Sequence, residues 1–458
     1  MHNKSFMLVA ALTMKSGVIG ILPAPTQTAT RSDVTRVAVA RVDVRELLAA
    51  ARGVAPALCA LAADGVSNGW GGSWDAPDLS VNADVHRLVR DLRDASLDRA
   101  QVLSLVTALG SDDGCVRHLA GTLIGRSGDK SIVPDLVEKL RAQLENERAG
   151  AARALGLLGD RSAVDPLVRT LRDASAAVRA NGAWALGRIG DKRVAGNVAD
   201  LVSDETPGVR GAAVTALGHL HVSDNIDILL RVLRNDQSPE VRRVAGWALG
   251  ELGSRTAAEG LSAALRSDKS APVREMCAWA LGELHARDFT EALTTALRSD
   301  ESSSVRETAA WALGELEVKK AADLLAQAVA NDKSSDVRGT AAWAIGQLNA
   351  GKAPRELITA LRDTDDDVRL KAAWAISQIG DADAVPDVTA ALRVEQRDRV
   401  RQALVRALLE SGDKSSDVFK DLLDSKDNDT REMAVRALTG RRGPWPWPWP
   451  WPRPRPNP

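Results

Sequence analysis

An arginine returns along this chain at a nearly fixed interval: Arg117, Arg148, Arg179, Arg210, Arg242, Arg274, Arg306, Arg338, Arg369, Arg401 and Arg431, with successive gaps of 31, 31, 31, 32, 32, 32, 32, 31, 32 and 30 residues. Self-similarity at such a period requires stacked copies of one supersecondary unit. A unit of that length holds two helices of roughly ten to fourteen residues and two tight turns. A single core is excluded on size as well, because 458 residues exceed what one core can serve.

Turn chemistry marks both ends of the helices. Thr206-Pro207 and Ser238-Pro239 place a capping residue before a proline at the first helical position, where its missing N–H costs nothing. Ser302 to Ser304 offer caps in another unit. At the far end, Gly128-Asp129, Gly159-Asp160, Gly190-Asp191, Gly380-Asp381 and Gly412-Asp413 supply glycines suited to a left-handed C-terminal turn. In the unit beginning near Phe289, the pattern predicts a first helix over Glu291–Arg298 with Ala292, Leu293, Ala296 and Leu297 inward, then a second helix over Val305–Leu316.

A carboxylate stands six residues before the arginine in eight consecutive units: Asp173, Asp204, Asp236, Asp268, Asp300, Asp332, Asp363 and Glu395. A pair repeated in every unit cannot mark one active site. It is read as a structural ladder, bonding within a unit or to the neighbouring one and fixing the register of stacking.

Units such as DESSSVRETAAWALGEL, DKSSDVRGTAAWAIGQL and DASAAVRANGAWALGRIGD resemble HEAT-like repeats of the phycobilisome-lyase type. The likeness covers roughly residues 112–440. It implies an all-α fold, a right-handed α-solenoid of about eleven two-helix repeats, with second helices lining a concave face that holds partners. The segments then divide as 1–29, a candidate targeting segment; 30–111, an N-terminal helical cap with a Gly/Trp loop; 112–440, the repeat array; and 441–458, a disordered Trp/Pro/Arg-rich tail.

On a helical wheel with about 100° per residue, Ala309, Ala312, Leu313 and Leu316 cluster with Val305, whereas Glu307, Trp311 and Glu315 line the opposite side. The position of Trp311, five after the arginine, holds Trp184, Trp247, Trp279, Trp311, Trp343 and Trp374, interrupted by Thr215. Two readings compete. The indoles pack over Ala and Gly of neighbouring second helices, or they stand open as a stacking surface.

Nine residues after the arginine the side chain changes along the array, from Arg188 and His219 through Glu251, Glu283 and Glu315 to Gln347 and Gln378. Indole faces beside carboxylates suit basic or proline-rich extended ligands. The chain carries such a segment itself, with Trp445, Trp447, Trp449, Trp451, Arg453 and Arg455 separated by prolines, a run confined to polyproline II. The tail is read as docking on the Trp/Glu groove of its own or another copy, as a membrane-interface anchor, or as a solvated spacer.

Other functions are argued against. Sixty basic and 61 acidic residues give a net charge of −1, which disfavours nucleic-acid binding. No CxxC pair, Gly-rich phosphate loop or GxSxG elbow is present in a suitable context, and the six histidines do not recur with the period. Deoxyhypusine hydroxylases, an enzyme class built on HEAT repeats, carry His-Glu pairs that hold iron; the matching positions here read Arg274-Glu275 and Arg306-Glu307. The expected function is therefore a non-catalytic protein- or peptide-binding scaffold with no cofactor. A bilin-lyase-like or cofactor-chaperone role is the alternative, implied only by the family resemblance. The first 29 residues combine a basic start with apolar runs broken by Lys15 and no clean cleavage site, which leaves localisation open, with export slightly favoured over the cytoplasm.

Overall fold

The computed structural model describes residues 98–411 apart from 112, 113, 349 and 350, together with a few positions between 422 and 435. Within them the chain is all α, an uninterrupted series of ten helix pairs with no strand. The tail tryptophans and arginines, the segment 1–29, and the Gly/Trp loop lie outside the described residues. Arg99–Ala108, which the sequence assigns to the cap region, packs against Gly114–Ser127 as the first helix of the first pair.

First and second helices bury different amounts of themselves. The first helix Thr290–Ser299 buries Ala292, Leu293, Ala296 and Leu297, the stripe its periodicity predicts. Its second helix, Ser303–Glu315, buries Val305, Thr308, Ala309, Ala310, Trp311, Ala312, Leu313 and Gly314, nearly its whole circumference. The reason is stacking: each inner second helix packs on its own first helix and on the second helices before and after it. No described helix is long and apolar enough to cross a membrane.

The helix ends follow the sequence with one change of actor. Gly128, Gly159, Gly190 and Gly380 take positive φ, between 62° and 74°, as a left-handed turn requires. His221, His285 and Glu317 adopt the same conformation without glycine. At the start of the second helices, Thr206 and Ser302 make no side-chain cap bond. Their own backbone N–H groups donate instead to Asp204 Oδ1 and Asp300 Oδ1, both at 2.9 Å.

Those same carboxylates build the ladder, and it runs between units. Arg306 donates Nη1 to the carbonyls of Asp300 and Glu301 in its own turn, at 2.9 and 3.2 Å. Its Nε and Nη2 grip Asp332 of the next unit at 2.7 and 2.9 Å. The pattern repeats from Arg148–Asp173 to Arg369–Glu395. Burial would raise the pKa of Asp332, but the Arg306 hydrogen bonds and the Ser334 N–H outweigh it and hold the carboxyl below its usual range.

Candidate partner-binding face

Each tryptophan of the second-helix row meets a glycine of the preceding unit. A Cβ built on Gly156, Gly218, Gly250, Gly282, Gly314 or Gly346 would come within 2.7 to 3.0 Å of Cζ3 of Trp184, Trp247, Trp279, Trp311, Trp343 or Trp374, respectively. Real Cβ contacts are longer than this, so the missing side chain is the space the indole fills. The glycine sits eight residues after its repeat arginine and the indole five after the next one.

The structure therefore takes the packed alternative and corrects the open one. Trp247, Trp279, Trp311, Trp343 and Trp374 are only 6, 3, 8, 2 and 5% exposed. Trp343 and Trp374 lie stacked at 6.4 Å between centroids with 14° between planes. Their ring faces are committed to neighbouring helices and offer no open platform for a peptide or a tetrapyrrole. The indole N–H of Trp279 is buried without an acceptor. Trp184 is half-buried and differs from the others in being covered by arginines.

What reaches solvent along the row is one turn further on. Glu251 and Glu283 are exposed and Glu315 half-exposed. Before them stand exposed Arg188 and His219, after them half-buried Gln347 and Gln378. His219 meets the Trp247 ring edge-on at 5.1 Å. Although one side of its ring reaches solvent, desolvation of the side packed on Trp247 lowers the pKa of this histidine, with Glu251 pulling the other way and Arg188 and His221 adding to the depression. The face thus runs from basic through acidic to neutral.

A second line of charge lies one turn on the other side of the indoles; the wheel placed Glu307 on it, but the sequence reading did not count it among the site residues. Glu275 and Glu307, four residues before Trp279 and Trp311, are half-buried. Arg243 precedes them and buried Lys371 follows. Glu307 accepts from Thr340 Oγ1 at 3.2 Å, while Lys371 pairs with Asp367 at 2.7 Å and Arg243 with Glu240 at 3.1 Å. Burial first and Asp336 second push the Glu307 carboxyl up to about 7, against Lys371 and Thr340, with Glu275 adding to the rise. The signal was present in the i, i+4 spacing of Glu and Trp, which the wheel placed on one side.

Among the described residues, no three of His, Cys, Asp and Glu converge as a metal site. Cys277 is buried.

The model for HEAT repeats matches five overlapping stretches, 102–175, 133–207, 195–282, 258–346 and 323–409, which together span about two thirds of the sequence. The chain belongs to the HEAT-repeat family. No curated protein matches it. Among solved structures, the repeat array is similar to a chain in a complex of Kap95p with RanGDP, at 14% identity and a TM-score of 0.55 over 78% of this chain and 59% of that one. It is also similar to importin beta, at 16% identity and a TM-score of 0.55 over 76% of this chain and 57% of that one. The HEAT chain thus spans less than two thirds of either neighbour, and the likeness is one of fold.

Proposed function

We propose that this HEAT array is a non-catalytic protein- or peptide-binding scaffold whose second-helix face takes extended basic, proline-rich segments. The observation that carries the reading is the row Glu251, Glu283 and Glu315. It sets three carboxylates at one register on three successive second helices, above a wall of packed indoles. Neighbouring helices stand about 8–10 Å apart, so the carboxylates form a ruler for a ligand with basic groups at matching intervals. The buried tryptophans stiffen that wall, and their role is to hold the carboxylates in line, with no ring face left to stack on a ligand. The array's similarity to a chain in a complex of Kap95p with RanGDP fits a protein partner.

The chain's own residues 441–458 match this ligand class.

The test uses a fluorescein-labelled peptide of residues 444–458, titrated by anisotropy into protein lacking 441–458. Saturable binding that weakens tenfold or more in a Glu251/Glu283/Glu315→Gln triple variant supports the reading. Equal binding by parent and triple variant would discard it.

A further inference from the structure

The indole row has one end whose charge the fold leaves unbalanced. The position that holds tryptophan in six units holds Arg153 in the unit before Trp184. The Arg153 guanidinium carbon stands 4.9 Å from the centre of the Trp184 ring. Arg188, one turn beyond Trp184 on the same helix, places its own guanidinium carbon 5.6 Å from that centre. Two cations from successive second helices thus share one indole.

Neither has an anionic partner among the described residues. The Nε–H of Arg153 is shut away from solvent with no acceptor. Burial, and then the charge of Arg188, depress the pKa of Arg153 below the ordinary arginine value. Asn181, three residues before Trp184, donates its Nδ2–H to the Ala177 carbonyl at 2.8 Å and accepts from neither guanidinium. Ring quadrupole attraction offsets part of the cost of holding these cations. It supplies no acceptor for their N–H groups, which match the planar fork of an oxyanion.

We propose that Arg153 and Arg188, set on Trp184, form an oxyanion site that takes a carboxylate side chain from an acidic protein segment. An arriving carboxylate neutralises the pair and accepts from the guanidinium N–H groups that solvent reaches, the Arg153 Nε–H staying enclosed. The site uses different residues from the Glu251, Glu283 and Glu315 row, so it stands whether or not that row takes basic segments.

The experiment titrates the full chain with a fluorescein-labelled Gly/Ser peptide carrying three glutamates, beside the same peptide with three glutamines and beside inorganic phosphate. The expected result is glutamate-peptide binding at least tenfold tighter than glutamine-peptide binding, weakening with salt and lost in Arg153→Met/Arg188→Gln. Arg188 is exposed, so Arg188→Gln alone should weaken binding severalfold with an unchanged melting curve and serves where the double variant fails to fold. Indifference to glutamate against glutamine, or full binding by Arg188→Gln, would overturn the proposal. Binding of phosphate without the glutamate peptide would overturn its carboxylate assignment.

Discussion

Gly314 and Trp343 occupy one volume: a methyl group at Gly314 would lie 2.9 Å from Cζ3 of the Trp343 ring and 2.9 Å from the Ala344 Cα. Both neighbours are held by helix packing, so neither can yield cheaply. Gly314→Ala is expected to destabilise the array by about 1–3 kcal/mol, as overpacking does, in spite of the better helix propensity of alanine. Urea unfolding followed by tryptophan fluorescence checks this. A neutral or stabilising effect would show that the helices slide apart readily.

The ladder makes a chemical prediction. Arg306→Lys keeps the charge but cannot span Asp332 and the Asp300 carbonyl together with one ammonium. A loss of about 1.5–3 kcal/mol is expected, the range for hydrogen bonds to charged groups. Repeat proteins unfold in part locally, so hydrogen exchange should rise first in the two units that Arg306 joins.

Acid should weaken the same ladder. Asp173, Asp204, Asp268, Asp332 and Asp363 all have pKa values lowered in the folded chain, where burial is outweighed by arginine and backbone N–H donors. Their contribution is fully present above the unfolded aspartate value near 4 and is lost as pH falls through the lower folded values. Melting temperature is expected to drop steeply below about pH 4, and less so in an Asp332→Asn variant that has already lost one rung.

Glu307 works in the opposite direction. With its carboxyl raised from 4.5 to about 7, the folded chain holds a proton that the unfolded chain releases. Stability from this group therefore falls as pH rises between those two values and levels off above the higher one. Glu307→Gln should stabilise the protein at pH 8, by roughly 3 kcal/mol at most, and leave it unchanged near pH 4. Calorimetry across that range decides the matter.

The repeat period, the helix pairs and the spacing of Arg306 to its carboxylates could all be read from the chain, because each depends on residues within one unit or one period. The fate of Trp311 could not be read from a single-helix wheel. A wheel assumes one core side, and Ser303–Glu315 has neighbours on three. The glycine eight places after the preceding arginine was the available clue, since Gly282 answers Trp311 only when two units are compared. Arg153 went unnoticed for a related reason: it occupies the tryptophan position but breaks the pattern being counted.

Because Arg242 holds Asp268 and Arg274 holds Asp300 by the same two nitrogens at distances within 0.1 Å of each other, these two junctions are interchangeable. Excising residues 268–299 would hand Asp300 to Arg242 and Trp311 to Gly250, leaving a seam of familiar make. Such a molecule can lengthen or shorten by whole modules, altering the span it measures without relearning how to fold.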